Sequence, residues 1–455
     1  MKKWRMLALL YLALSLCIVG CKNAILTNDV SDEETVASQI EILWDESSGV
    51  DVKLVSNLLE SKYPKATFNV TPFRHPIYES ERNITKLFEN NELSADLVFF
   101  ESTIAPFFVN IDYLEPLEGF MVAENIQEST FETQALNVIR EHTADDHIPA
   151  LPLGKNVYAL YYNKDAMTKY GVDMPVDGML WSEVIELGQK VGSQSAFNQQ
   201  FVLSLIDSNL ITNQLGLTYE NDGAESFQSN EWLRAYDFFS SVAEIENNNL
   251  YAYTNQNQFG PDFNSFANGQ SVMAASGFLG NRGELPPPYY GFRKEPEVEW
   301  DIVSYPTFDQ STAPTPTYYY LGIPKVSTKK EEALKVMSYL LSKEAQIELS
   351  KNGLASAYFD QTINQEFGQN ISYLKGKNIN AFFQSTNYSS YDKTFDFRIR
   401  YQFSSLLDHL YIAKGNPNFE STRGLYTNEL ANRWKEAEAQ SKQDIQTIKE
   451  KLASN

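Results

Sequence analysis

The sequence predicts an α/β protein built from two domains, and three observations lead to that prediction. The chain has 455 residues, more than one hydrophobic core usually holds. From residue 40 onward, short segments of strand composition alternate with segments of helical periodicity. That order favours βαβ units and a mainly parallel sheet in each domain. Hydrophobic residues make up 43% of the chain and aromatic residues 13%, enough to form large cores.

The N-terminus has the pattern of a signal peptide. A basic start precedes an apolar stretch of 14 residues, 6–19, which is shorter than the roughly 20 that span a bilayer as a helix. The residues Ile18-Val19-Gly20-Cys21 resemble a bacterial lipobox. We expect 1–20 to be removed and Cys21 to carry a diacylglycerol anchor, with 21–37 as a flexible tether on the extracytoplasmic face of the cell membrane. An ordinary signal peptide with an unrelated cysteine is the alternative.

The composition excludes several classes of partner and chemistry. The formal charge is −22, and it becomes −25 without residues 1–20, which carry three positive charges and no negative ones. A chain this acidic does not favour nucleic acid or an anionic membrane surface. The two cysteines, Cys17 and Cys21, leave no pair for a disulfide after cleavage. We expect no metal and no cofactor, since histidines number only four and no cysteine site is available. No catalytic motif such as HExxH or G-x-S-x-G occurs, which argues against an enzyme.

In the first domain, the ends of two predicted strands provide candidate ligand contacts. A strand at 40–44 is followed by a loop and by a helix over 51–63, and further strands are predicted at 66–70 and 96–100. In open α/β sheets, ligands bind beyond the carboxyl ends of strands. The residues at two of these ends are Trp44, Asp45, Glu46, Glu101 and Ser102. A core aromatic is the alternative for Trp44, and a helix cap or a solvated loop carboxylate is the alternative for Asp45 and Glu101.

The central segment 148–181, IPALPLGKNVYALYYNKDAMTKYGVDMPVDGMLW, reads as a strand, a turn, an aromatic strand and a helix. Asn163 suits the start of that helix and Gly171 its end. The order of residues in LPLGKNVYALYYNKD resembles the family 1 extracellular solute-binding proteins, the maltose-binding-protein-like receptors of ABC importers. The segments 266–277 (FANGQSVMAASG) and 327–353 resemble the same family. The resemblance implies a two-lobed periplasmic-binding-protein-like fold of type II, with the ligand cleft between the lobes.

The resemblance also implies further ligand contacts near the crossover between the lobes. Alignment on the YNKD residues places Asn156 where maltose-type receptors have an acidic ligand residue, and an amide suits hydroxyl groups. Lys155 is either a second contact or a solvated side chain. The strand that returns to the first lobe and the crossover after 327–353 contribute the remaining candidates of this group: Tyr318, Tyr319 and Tyr358.

A loop after 266–277 is the expected ligand contact of the second lobe. Its candidates are Phe278, Leu279 and Arg282. Leu279 stands where a maltose receptor has a tryptophan that stacks on the sugar, which argues against a maltose-like pose. Phe278 is the candidate for a replacement platform. Elsewhere, His142 and His147 flank two aspartates, but this stretch corresponds to a polar hairpin turn of the family and is not interpreted as a metal site.

The expected function is capture of a solute by hinge closure and its delivery to the permease subunits of an ABC transporter, by a monomer that is not an enzyme. The resemblance divides the chain into an N-terminal lobe, 38–154 plus 302–353, and a C-terminal lobe, 155–301 plus 354–455. A mono- or oligosaccharide is the expected solute. The alternatives are a non-sugar solute, a tethered ligand sensor for a signalling system and, least favoured, an extracellular glycosidase.

Overall fold

The computed structural model describes residues 39–75, 82–90, 93, 95–205, 209–217, 230–248, 263–278, 296–309, 312–385, 387–389 and 419–454. The strands of this part are β1 Gln39–Asp45, β2 Thr67–Phe73, β3 Leu97–Glu101, β4 Ala150–Lys155, β5 Tyr158–Asn163, β6 Phe201–Leu205, β7 Ser271–Gly277, β8 Trp300–Ser304 and β9 Tyr318–Gly322. The helices are α1 Val52–Lys62, α2 Ile84–Glu89, α3 Ala105–Asn110, α4 Glu118–Ala123, α5 Thr133–Arg140, α6 Lys164–Tyr170, α7 Trp181–Gly192, α8 Asn209–Gln214, α9 Asn230–Ala243, α10 Phe263–Ala267, α11 Lys330–Leu340, α12 Lys343–Lys351, α13 Gln361–Gln365 and α14 Phe419–Ser454. None of these helices is both long and apolar enough to span a bilayer.

The strands form two separate sheets, one in each lobe. The order is β2-β1-β3-β9-β4 in the first lobe and β6-β7-β5-β8 in the second. Helices α1 and α11 contribute to a core on the first sheet, and α7 and α9 contribute to a core on the second. The predicted two-lobed α/β fold is therefore confirmed.

Both sheets are mixed, with one strand reversed in each. In the first lobe, β1, β2, β3 and β4 share a direction, and β9 runs antiparallel between β3 and β4. In the second lobe, β5 runs antiparallel to both β7 and β8. The reversed strands are the ones that receive the chain from the other lobe. Since the chain enters at the edge where the other strands end, the receiving strand has to run away from that edge.

Local sequence signals set the elements around the crossover. Asn163 caps α6, with its Oδ1 accepting a hydrogen bond from the Ala166 amide at 2.9 Å. Gly171 ends the helix with φ 65°, a left-handed conformation that glycine adopts without strain. Strand β5 is buried along its whole length, as expected for an aromatic strand between two neighbours.

Three segments lie side by side where the chain passes between the lobes. The Lys155 amide donates to the Ala355 carbonyl at 2.8 Å, and the Asn156 amide donates to the Thr317 carbonyl at 2.8 Å. Because β4 ends at Lys155 and β5 begins at Tyr158, only Asn156 and Val157 separate a strand of the first lobe from a strand of the second. The candidate hinge is therefore short and held by backbone hydrogen bonds.

The contacts of the C-terminal part differ from the predicted assignment of 354–455 to the second lobe. Phe367 and Phe382 do pack into the second-lobe core. Tyr358 and Ile363, however, pack into a first-lobe cluster, so the chain leaves that lobe later than expected. Helix α14 reaches both lobes, since Ala437 packs on the second-lobe core and Ile448 on the first. The sequence of a helix with small apolar patches does not show on which lobe the helix packs. Only the tertiary contacts decide this.

Candidate functional site

A cavity lies between the lobes, directly beside the crossover segments. Its volume is about 40 Å³, which is room for about three water molecules in this conformation. The first lobe, the crossover and the end of β7 all contribute to its lining, which consists of Gly49, Val50, Asp51, Leu54, Lys155, Asn156, Val157, Phe278, Tyr319, Asn352, Gly353 and Leu354. Three of the candidates from the sequence, Asn156, Phe278 and Tyr319, are therefore brought together at one site.

Asn156 is positioned by the short link between β4 and β5. Its Oδ1 accepts a hydrogen bond from the Val157 amide at 3.0 Å. The side chain lies against the end of β7, where a Cβ on Gly277 would come within 2.7 Å of the Asn156 Nδ2. An alanine at position 277 would therefore displace the side-chain amide of Asn156. An amide in this position offers both donor and acceptor capacity to a polar ligand.

Two aromatic residues form walls of the cavity. Phe278 follows β7 and packs edge-to-face against Phe367 and Phe382, with ring centroids 5.1 Å and 5.3 Å away. Tyr319 belongs to β9, and its ring lies parallel to Phe99 at 6.0 Å. Both side chains are held by core packing, so the walls are rigid surfaces suited to the apolar faces of a ligand.

Lys155 forms a buried ion pair at the hinge, and the alternative that this side chain is solvated is wrong. Its Nζ donates to a carboxylate oxygen of Glu132 and to the Tyr388 hydroxyl at 3.4 Å. Its side chain is only 4% exposed. Burial lowers the pKa of Lys155, but the attraction of Glu132 outweighs burial and leaves the pKa above its usual value. The positive charge of Lys155 is therefore compensated within the protein.

A second polar cluster lies at the carboxyl ends of β1, β2 and β3. Asp45 is fully buried, and its Oδ1 accepts from the Ser47 amide at 2.9 Å while its Oδ2 accepts from His75 Nε2 at 2.9 Å. The Glu101 Oε1 lies 3.8 Å from the same imidazole nitrogen. Burial lowers the pKa of His75, but the two carboxylates outweigh it and raise the pKa above its usual value. The contact between the Asp45 Oδ1 and the Ser47 amide is that of a helix cap, which was the alternative for Asp45.

Glu46, which was a candidate ligand contact, is engaged by two arginines. Its carboxylate lies 3.1 Å from Arg74 Nε and 3.1 Å from an Arg82 nitrogen. Burial raises the pKa of Glu46, but the hydrogen bonds and charges of Arg74 and Arg82 outweigh burial and leave the pKa below its usual value. Glu46 is not among the residues that line the cavity.

Four other sequence candidates are buried in the first lobe and do not line the cavity. Trp44 is 3% exposed and stacks on Phe99 at 3.9 Å, so the core-aromatic alternative describes its place. The Ser102 hydroxyl accepts from the Tyr318 amide at 3.3 Å. The Tyr318 hydroxyl in turn donates to Glu132 at 3.2 Å, and the Tyr358 hydroxyl donates to the Leu341 carbonyl. Each candidate lies near a strand end or crossover, but the pleat or the local turn directs its side chain inward.

The remaining candidates, Leu279, Arg282 and Cys21, lie outside the described residues. The structure also adds residues that the sequence analysis missed. His75 follows β2 by two residues, and the carboxyl end of a strand is the signal that could have identified it. Asp51 and Asn352, which line the cavity from the ends of helices, carry no comparable signal because their approach depends on how the helices pack.

Solved structures share this architecture over almost their full length. An ABC substrate-binding protein from Listeria monocytogenes in complex with cycloalternan has a TM-score of 0.65 at 16% identity, over 87% of this chain and 98% of that chain. A sugar transporter protein from Rhizobium etli in an open conformation has a TM-score of 0.64 at 17% identity, over 88% and 99%. UgpB from Mycobacterium tuberculosis in complex with glycerophosphocholine has a TM-score of 0.60 at 14% identity, over 87% and 98%. At these identities the likeness establishes the fold.

The sequence also matches a protein family over more than half of its length. The profile of the bacterial extracellular solute-binding proteins covers residues 55–347, from the first helix of the first lobe to helix α12. This range contains β2 to β9 and two of the three crossover segments, those at Asn156 and Thr317. The chain therefore belongs to the bacterial extracellular solute-binding protein family.

Proposed function

We propose that the protein captures a mono- or oligosaccharide in the cleft between its lobes and delivers it to the permease subunits of an ABC transporter. The observation that carries this proposal is the cavity beside the crossover, whose lining joins residues of both lobes and includes Asn156, Phe278 and Tyr319. A site shared by two lobes couples ligand binding to their relative position, because a bound solute contacts both.

The chemistry of the lining favours a neutral, hydroxylated solute. Asn156 supplies an amide, which bonds hydroxyl groups as donor and acceptor, whereas the amide of Asn352 is bonded to Glu348 and Asn370. Phe278 and Tyr319 supply apolar faces of the kind that cover sugar rings. The nearby cation of Lys155 is paired with Glu132, so it adds no uncompensated positive charge that would select an anion.

The structural relatives support the same reading and keep one alternative open. The Listeria protein holds cycloalternan and the Rhizobium protein is a sugar transporter component. The Mycobacterium tuberculosis protein instead holds glycerophosphocholine, so this fold also accommodates a charged, non-sugar solute. In this alternative, Arg282 and Arg293 are the side chains of the sequence that would clamp an anionic solute, and both lie outside the described residues.

Hinge movement is the proposed mechanism of capture. A solute held between the lobes enters when they are further apart and is enclosed as they approach each other. The link of Asn156 and Val157 between β4 and β5 is short enough to act as the hinge. Closure on the solute then moves the population towards the form that docks on the permease.

We further propose that the protein is a monomer, anchored through Cys21 on the extracytoplasmic side of the membrane, and has no catalytic activity. A glycosidase requires two carboxyl groups that face its substrate. Asp45 is fully buried and bonded to His75, and Glu46 is paired with Arg74, which argues against these residues as such a pair. Metabolic labelling with a radioactive fatty acid tests the anchor, and a Cys21→Ala variant should lose the label.

A thermal-shift screen tests the proposed solute. The protein from Lys22 onward is heated with sugars, amino acids, polyamines and organic anions, each in excess. A ligand that binds only the folded state stabilises it by about 2.7 kcal/mol at a hundredfold excess over its dissociation constant. A shift with a saccharide that is recovered unchanged supports the proposal. A shift with another solute class alone, or no shift with any saccharide, overturns the sugar assignment.

Uptake measurements separate transport from sensing. Cells lacking the gene should lose uptake of the radiolabelled solute that the screen identifies and regain it with the wild-type gene. An Asn156→Ala variant should restore less uptake at low solute concentration, because the hydrogen bonds of the amide are lost. Unchanged uptake in the deletion strain would favour the tethered-sensor alternative.

A further inference from the structure

The carboxyl edge of the first sheet brings together three side chains with metal-binding donor atoms. They are Asp45 at the end of β1, His75 just after β2, and Glu101 at the end of β3. Their donor atoms all lie within 4.8 Å of one another. Asp45 and His75 are fully buried, and the Glu101 side chain is 14% exposed. Among the described residues, these three are the metal-binding side chains that lie close enough together to share one ion.

The distances suit a small divalent cation. Zn²⁺ binds imidazole nitrogen and carboxylate oxygen at about 2.1 Å in tetrahedral geometry, which places two ligand atoms about 3.4 Å apart. Here His75 Nε2 lies 2.9 Å from Asp45 Oδ2 and 3.8 Å from Glu101 Oε1. These separations fall on either side of the required value. Each of these two separations is therefore within about half an ångström of the value that coordination requires, and all three donor atoms lie within 4.8 Å of one another.

The surroundings of the cluster support this chemistry. The Asp45 Oδ1 accepts from the Ser47 amide at 2.9 Å, and the Glu101 carboxylate accepts from the Thr103 hydroxyl. Hydrogen bonds to ligating carboxylates fix their orientation in metal sites. A positive charge between two neighbouring carboxylates also stabilises their ionised forms. The Glu101 side chain is 14% exposed, so the cluster is in contact with solvent on that side.

We propose that Asp45, His75 and Glu101 bind one divalent transition-metal ion, of which Zn²⁺ is the representative. One imidazole and two carboxylates suit zinc, manganese or cobalt, whereas calcium and magnesium prefer oxygen ligands throughout. The ion would join the ends of three strands at the edge where this fold class binds ligands. This inference does not depend on the identity of the solute.

Isothermal titration calorimetry with Zn²⁺ tests the proposal on the chelator-treated, untagged protein from Lys22 onward, which contains no cysteine. The expected result is one equivalent of Zn²⁺ bound to the wild type. Glu101→Gln should weaken binding at least tenfold, and His75→Gln should abolish it. The matched control is His147→Gln, which removes an exposed histidine paired with Asp145 and should leave the single equivalent unchanged.

Cobalt adds a readout that does not depend on stability. Co²⁺ bound in a site of low coordination number shows visible absorption, and this absorption should appear in the wild type and in His147→Gln but not in Glu101→Gln. Glu101 is partly exposed, so its replacement by an isosteric amide leaves the fold intact and keeps the test valid if His75→Gln does not fold. The proposal is overturned if Zn²⁺ does not bind, if Ca²⁺ binds as tightly, or if Glu101→Gln binds like the wild type. In those cases a proton on His75 supplies the positive charge.

Discussion

Replacing Lys155 with methionine tests whether the buried ion pair stabilises the hinge. Methionine keeps much of the apolar length of the side chain but removes the charge that faces Glu132. Breaking a buried pair by removal of one partner costs about 3–5 kcal/mol, because the other charge stays buried without compensation. The Glu132 side chain is 16% exposed and keeps the hydrogen bond from the Tyr318 hydroxyl, so we expect the lower end, about 3 kcal/mol. That is roughly a 150-fold change in the unfolding constant.

Urea unfolding followed by tryptophan fluorescence at neutral pH measures this cost. The matched control is Lys330→Met, whose ammonium lies 2.6 Å from Glu115 but with side chains 40% and 31% exposed. A surface pair of this kind contributes at most about 1 kcal/mol. The double variant Lys155→Met/Glu132→Gln should be more stable than Lys155→Met, since the orphaned carboxylate is gone. If Lys155→Met costs no more than Lys330→Met, the ion pair does not stabilise the hinge.

Further predictions concern pH, binding and the core. The pKa of Lys155 is raised in the folded state, so its contribution to stability is complete below the unfolded value of 10.5 and is lost as pH rises through the higher folded value. The difference in urea midpoint between wild type and Lys155→Met should therefore be constant from about pH 7 to 10 and shrink above that range; a difference that shrinks below pH 9 would contradict this sign. Gly277→Ala should displace the Asn156 amide and weaken solute binding, measured by calorimetry, about tenfold. Its melting temperature should stay within a few degrees of wild type. An unchanged affinity would show that Asn156 does not belong to the binding site. Trp44→Ala should cost about 3–5 kcal/mol in urea unfolding, while the folded protein keeps its affinity within threefold; a selective loss of affinity would instead return Trp44 to the binding site.

The elements that the sequence predicts well are those with local causes. The strand predicted at 40–44 is β1 Gln39–Asp45, and the strand predicted at 96–100 is β3 Leu97–Glu101. The helix after Asn163 ends at Gly171 as expected, because the cap and the left-handed glycine act within one helical turn. Asn156 is likewise found beside the cleft, because its place follows from the two strands on either side of it.

The side chains whose place the sequence left open depend on contacts far away in the chain. Trp44 stood between a ligand contact and a core aromatic, and its ring stacks on Phe99, a residue of the neighbouring strand. Lys155 was left open between contact and solvent, and Glu132 and Tyr388 decide its state. The sheets were predicted to be mainly parallel, but each contains a reversed strand. This strand is β9 in the first lobe and β5 in the second, and each is reversed because it receives the chain from the other lobe.

By itself, the sequence determined the fold class, the family and the position of the crossover, because these rest on periodicity, helix caps and an ordered run of residues. It also proposed ligand contacts at the ends of first-lobe strands and beside the crossover. The tertiary structure brings Asn156, Phe278 and Tyr319 to the cavity and leaves the strand-end candidates of the first lobe outside its lining. It alone brought Asp45, His75 and Glu101 together, since 30 residues separate the first two and 56 separate the first and last. Proximity across such separations arises from strand pairing and register, which no single stretch of sequence encodes.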